Sequence, residues 1–287
     1  MRRRPITIAV AAVAALILGS VVLFVLFAIP SLGAGGLLHP MRHRVAQRPA
    51  LSYVDVSFAG DGVTLQGWAF PCVRPRRGTL VYLHGIADNR GSSAGAAERF
   101  TRRGFDVIAY DSRAHGESGG DACTYGYYEK RDLRRVIDTI PDGPVVVVGA
   151  SLGGAVALQA AATDPRIRAV VAAETFSDLR TVATERAPFF FFGPLVARAF
   201  RLAEAEGRFT IDDVSPVRAA ANIRVPVLLV HGEADRDTSP AHSQRIFDAL
   251  RGPKRLILVP GAGHNASLRR PATWREIEIW IDQALGE

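Results

Sequence analysis

Three residues able to pass a single proton between them lie far apart in this 287-residue chain: Ser151 in "GASLGG", Asp235 in "HGEADRDTSP" and His264 in "GAGHN". A serine hydroxyl at its ordinary pKa is a weak nucleophile. An imidazole within hydrogen-bond reach activates it, and a carboxylate behind the ring holds the imidazole in place. The chemistry on offer is attack on a carbonyl carbon, and the order serine, acid, histidine is the one that goes with a serine on a strand-to-helix elbow. Ser151 has that setting, because the valines at 145–148 precede it, an alanine-rich run follows it, and Gly149 and Gly153 flank it. The helix that follows aims its first amides at the same spot, where developing negative charge is favoured, so the Leu152 N–H is one expected oxyanion donor. Asp237 and Glu174 are rivals to Asp235 as the acid.

"HGI" at 84–86 ends an earlier strand. Gly85 is expected to let the backbone approach the centre, with the Ile86 N–H as second oxyanion donor and Ala87 as the alternative. His84 and His231 read as braces, His231 for Asp235. His115 in "DSRAHGES" reads as part of a turn built by Asp, His and Gly. No histidine or cysteine spacing matches a metal site, and no glycine loop matches a phosphate or dinucleotide cradle.

A parallel sheet would bring such residues together, since ligand chemistry gathers at the carboxyl ends of its strands. Eight strand patterns occur: 51–58, 63–70, 79–84, 105–111, 144–150, 167–173, 225–231 and 255–260. "AGDG" joins the first two as a hairpin. From 79 onward strands alternate with helical stretches at 92–103, 127–140, 152–163, 240–250 and 271–285, which predicts an α/β fold with helices on both faces of a mostly parallel sheet. His84, Asp111, Ser151, Glu174, Asp235 and His264 all fall at or just past strand ends.

The N-terminus is different material. Arg2, Arg3 and Arg4 precede residues 6–29, which carry no charge. At about 1.5 Å per residue that stretch spans a bilayer core and exceeds an ordinary signal-peptide core. The expectation is a membrane anchor over 1–30, a Gly- and Pro-punctuated linker over 31–49, and one domain over 50–287. Positive charge stays on the cytoplasmic side, so the domain would lie outside the cytoplasm. The alternative is a signal peptide cut near "SLGAGG", which would secrete the domain. The net charge of +7 comes almost wholly from arginine, as Lys130 and Lys254 are the two lysines. With no basic run beyond the N-terminus, nucleic acid is not an expected partner. The spacing of Cys72 and Cys123 leaves both a disulfide and two free thiols open.

From about residue 51 to 285 the chain resembles the α/β-hydrolase superfamily, and within it the membrane-anchored branch similar to Bem46 and the ABHD13-type proteins. "YLHGIADNR", "YDSRAHGESGG", "GASLGG", "HGEADRDTSP" and "GAGHN" carry the resemblance by their order and spacing. It implies a serine hydrolase without cofactor, with Ser151 as nucleophile, His264 as base, Asp235 as acid, and Ile86 and Leu152 as oxyanion donors. A small acyl substrate is implied: an ester by default, with thioesters, amides and short peptides as alternatives. A catalytically silent scaffold at the membrane is the reading from another class. Ala150 precedes the serine and no His-Gly-Gly-Gly run occurs, so lipase substrates are not implied. The resemblance also implies a short helical cap over about 176–222. Within it "APFFFFGPLVARAF" is expected either to pack the cap onto the body or to form an acyl-binding wall or membrane-dipping face.

Overall fold

The computed structural model describes residues 4–286; Arg2 and Arg3, expected on the cytoplasmic side, lie outside the described residues. The chain begins with one long apolar rod: α1 (Arg4–Leu23), a wider π-helical turn (Phe24–Ala28) and α2 (Ile29–Leu38). The π turn falls just before Pro30, which has no N–H to offer Leu26 and whose ring crowds that carbonyl. Residues 8–38 form a helix long and apolar enough to cross a membrane.

The linker expected from residue 31 is helical through Leu38, and irregular chain begins only at His39. Its punctuation misleads for a packing reason. A Cβ at Gly33 would stand 2.5 Å from Phe191 Cζ and 3.3 Å from Ala199 Cβ, so this glycine permits a close helix approach rather than flexibility. Ala34 and Leu38 are buried, and the Leu38 carbonyl accepts the Cys123 N–H at 2.8 Å.

The body is an eight-stranded sheet: β1 (Val54–Ala59), β2 (Thr64–Phe70), β3 (Gly78–Leu83), β4 (Phe105–Tyr110), β5 (Val145–Ala150), β6 (Ile167–Ala173), β7 (Val227–Gly232) and β8 (Lys254–Val259). Their spatial order is β1-β2-β4-β3-β5-β6-β7-β8. The β1–β2 and β2–β4 pairings are antiparallel and all others parallel. Helices α3 (Ala94–Thr101), α4 (Glu129–Ile137) and α5 (Leu152–Ala161) cross between the early strands. Residues 176–222 hold α6 (Leu179–Glu185), α7 (Gly193–Gly207) and α8 (Pro216–Ala220); α9 (Ala241–Ala249) and α10 (Pro271–Ala284) complete the chain.

The valine run shows how the sheet divides the core. Val145 and Val147 join one apolar cluster, with α5 and the inner face of α7; Val146 and Val148 join the other, with Trp274, Ile277 and Ile281 of α10. Alternating side chains on a strand buried on both faces give this split, and each buried valine contributes roughly 1.5–3 kcal/mol.

Two side-chain alternatives left open by the sequence are separated by packing. The cap phenylalanines do not all pack: Phe191 is partly buried, whereas Phe189, Phe190 and Phe192 are 98%, 53% and 55% exposed. The cysteines are unpaired, with Cys123 in the core and Cys72 at the exit of β2.

Candidate active site

Ser151 joins β5 to α5 with φ 49° and ψ −109°, a backbone conformation that L-residues avoid. Such strain costs on the order of 1–3 kcal/mol and persists only where surrounding structure enforces it. The enforcement is visible on both sides. The Ser151 N–H is held by the Ala173 carbonyl at the end of β6, at 2.7 Å. A Cβ at Gly149 would lie 2.3 Å from the Gly153 carbonyl, and one at Gly153 would lie 2.2 Å from the Leu83 carbonyl. Only glycine lets α5 turn back this tightly over β5 and β3. Gly85 differs from the expectation: a Cβ there meets Ser151 Cβ at 3.6 Å, ordinary contact, so the approach of this loop does not depend on glycine.

His264 stands in the turn after β8, and its Nε2 lies 3.2 Å from Ser151 Oγ. Its Nδ1 lies 2.7 Å from Asp235 Oδ2 in the turn after β7. A carboxylate only accepts, so the Nδ1–H donates to Asp235 and Nε2 is left to accept from the hydroxyl. Asp235 is fixed from every side: its Oδ1 accepts the Asp237 and Thr238 N–H groups, both at 2.9 Å. His231 Nε2 stands 3.3 Å from its Oδ2. Burial by itself would raise this carboxyl, but the hydrogen bonds from His231, His264 and Thr238 outweigh it and hold the group well below the usual carboxylate range.

The rival acids stand apart. Asp237 is exposed, and its carbonyl accepts from Arg186 Nε at 2.7 Å. Glu174 is buried beneath the histidine loop, where its Oε1 accepts the Ser267 N–H at 3.0 Å. The backbone N–H groups of Ile86, Ala87 and Leu152 have no acceptor among the described residues, which leaves them free for an oxyanion. Leu152 directly follows Ser151, and the loop of Gly85 and Ile86 lies against it.

Each of the other buried histidines has at least one ring nitrogen engaged by a neighbouring group. His84 Nε2 accepts the Ser112 N–H at 2.9 Å and its Nδ1 faces the Gly85 carbonyl at 2.7 Å. His231 spans Ser243 Oγ at 2.6 Å and the Thr238 carbonyl at 2.8 Å, which binds the two ends of the Asp235 turn. His115 is buried, and burial with neighbouring His84 lowers its pKa to about 3. The "DSRAHGES" turn closes on Asp111, which accepts the Arg90 N–H at 2.7 Å and the Glu117 N–H at 2.9 Å.

Sequence patterning missed the supports contributed by Thr238, Ser243 and Ser267. It also missed a second serine–histidine–carboxylate chain, Ser177, His242 and Glu185, between the cap and α9. There His242 Nδ1 lies 2.8 Å from Ser177 Oγ and Nε2 lies 2.8 Å from Glu185 Oε2. Nothing at those positions marks them in sequence, since they lie inside helices or mid-loop rather than at strand ends.

Residues 78–204 match the family model described as "alpha/beta hydrolase fold". YfhR of Escherichia coli (strain K12) is 30% identical over 217 residues, covering 72% of this chain and 71% of that protein. The mitochondrial palmitoyl-protein thioesterase ABHD10 of Mus musculus is 29% identical over 137 residues, 46% of this chain and 44% of that one. The Pyrococcus furiosus esterase Pf2001 superposes with a TM-score of 0.69 at 22% identity, over 86% of this chain and 98% of that one. With the strand order, the elbow and these likenesses in agreement, the chain belongs to the alpha/beta hydrolase superfamily.

Proposed function

We propose that this protein is a serine hydrolase that cleaves carboxylic ester bonds through an acyl-enzyme. The hydrogen-bonded run from Asp235 through His264 to Ser151, ending on a strained elbow at a helix N-terminus, carries this reading. Ser151 Oγ attacks the carbonyl carbon while His264 Nε2 takes its proton. Asp235 stabilises the imidazolium, and the Ile86 and Leu152 N–H groups take the oxyanion, each supplying about 3 kcal/mol. His264 then protonates the departing alcohol, and water, with its proton taken by the same ring, releases the acid. Thioesters and amides pass through the same intermediate, and the printed name of ABHD10 keeps a thioester within the proposal. The motif set supports a place in the Bem46- and ABHD13-like branch. The rod at residues 8–38 supports a single-pass topology, with the N-terminus cytoplasmic and the hydrolase domain outside.

The test is fluorophosphonate labelling of the full chain in detergent, alongside Ser151→Ala. Labelling is expected in the parent only, and labelling that persists in the variant overturns the nucleophile assignment. A panel of p-nitrophenyl esters, acyl thioesters and aminoacyl anilides on the same sample then ranks the substrate classes.

A further inference from the structure

The apolar rod and the cap form one continuous surface. Phe191 of the loop before α7 packs at Gly33, and the Arg198 guanidinium of α7 lies 4.4 Å from the centre of the Phe27 ring. The depth of these contacts follows from helix geometry. About 20 residues at 1.5 Å each cross a hydrocarbon core of about 30 Å. Counted from Ile6, where charge ends, the core ends near residue 26. Phe27 therefore stands at the far boundary, and Gly33, six residues on, about 9 Å above it. Phe191 ties the 189–192 loop to the rod at the level of Gly33, and Arg198 of the helix that follows reaches the level of Phe27.

What the loop presents there is apolar. Phe189, Phe190 and Phe192 are exposed, and the first two rings meet edge to face at 5.5 Å. Neighbouring Leu32 on the rod is 69% exposed. An arginine over the boundary phenylalanine suits the headgroup level, where a long cationic side chain keeps its stem in apolar surroundings and its charge in water. We propose that Phe189, Phe190 and Phe192 enter the acyl region of the leaflet on the hydrolase-domain side, beside the span, so that the protein meets the bilayer at two points, the rod and the cap. The proposal rests on the rod crossing the membrane, and it does not depend on the chemistry at Ser151.

The test uses the full chain in vesicles of phosphatidylcholine and phosphatidylglycerol whose acyl chains are brominated either near the headgroup or near the chain end. Single variants Phe189→Trp, Ile17→Trp and Ile279→Trp report the loop, mid-rod and a control on α10, which packs on the other sheet face from α7. The native tryptophans Trp68, Trp274 and Trp280 are buried in that far cluster and supply a background to subtract. The Phe189→Trp signal is expected to fall roughly twofold with shallow bromine, the Ile17→Trp signal with deep bromine, and the Ile279→Trp signal with neither. A Phe189→Trp signal as unquenched as the control, with Ile17→Trp quenched, overturns the loop's insertion and leaves the span standing. An unquenched Ile17→Trp signal overturns both. Equal quenching at all three sites also counts against the loop. Phe189 is 98% exposed, so its replacement leaves the fold intact, and Phe192→Trp repeats the measurement at a second position. Fluorophosphonate labelling on the same vesicles reads the hydrolase proposal separately.

Discussion

Two serine–histidine–carboxylate chains lie in this molecule, and their distances alone do not tell them apart. In one, Ser151 Oγ is 3.2 Å from His264 and the ring is 2.7 Å from Asp235; in the other, Ser177 Oγ is 2.8 Å from His242 and the ring is 2.8 Å from Glu185. The surroundings separate them. His242 Nδ1 also accepts the Ser177 N–H at 3.1 Å and faces Arg245 Nη1 at 3.1 Å, so its lone pair is already engaged and it cannot serve as a base. Ser177 is fully buried and its hydroxyl has Asp178 Oδ2 within 2.9 Å. Burial lowers the His242 pKa further. Ser151 instead sits on a strained turn beside N–H groups that have no acceptor among the described residues, and the nitrogen facing it has one partner among them. A hydrogen-bonded triad braces a fold when each lone pair is taken. It becomes a candidate for catalysis when one nucleophile and its oxyanion donors are left open.

The contrast can be broken most directly at the two serines. Ser151→Ala is expected to lower ester turnover by roughly 10⁴-fold or more, while Ser177→Ala leaves it within about threefold. Equal losses would mean that the second chain takes part in the chemistry. The acids come next. Asp235→Asn should lower kcat by about 10⁴-fold, because an amide donating to His264 Nδ1 leaves the ring in the wrong tautomer, with its proton on the nitrogen that faces Ser151. Glu185→Gln should leave kcat nearly unchanged and cost only about 0.5–1.5 kcal/mol of stability in urea unfolding. The elbow's glycines give a smaller effect, read as stability. Gly153→Ala drives a Cβ to 2.2 Å from the Leu83 carbonyl and should cost about 2–4 kcal/mol, whereas Gly85→Ala should stay within about 1 kcal/mol. An equal cost at the two would remove the steric account of the turn.

The smallest expected effect is acid sensitivity at Asp235. Its carboxyl is held below its unfolded value of about 3.9, so between those two pKa values the unfolded chain binds a proton that the folded chain does not. The contribution is present above about pH 4 and is lost as pH falls further. Thermal midpoints measured downward from pH 5 should fall, less steeply in Asp235→Asn. An equal slope would place the acid sensitivity elsewhere.

Much of this was legible in the chain. The eight strands, their mostly parallel order and the elbow at Ser151 follow from short-range signals: branched runs, glycine spacing and polar residues at strand ends. The rod beyond residue 30 was not, because glycine and proline read as breakers while the deciding contact, Phe191 at Gly33, lies far along the chain. The phenylalanine run illustrates the same limit. Its apolar character was plain, but only packing decided that Phe191 turns inward while its three neighbours face out. Glu174 shows it once more: it ends a strand as Asp235 nearly does, yet it supports Ser267 and leaves His264 to another acid.

By itself the sequence determined the residue types, the order of strands and helices and the tight turn that lifts Ser151 from the sheet, since these depend on local propensity and on glycine's freedom at a crossing. Tertiary structure alone decided which of two serines keeps an open histidine, which carboxylate stands behind it, and where the cap meets the apolar rod. Those outcomes depend on which lone pairs and which faces remain unfilled once distant segments have packed together.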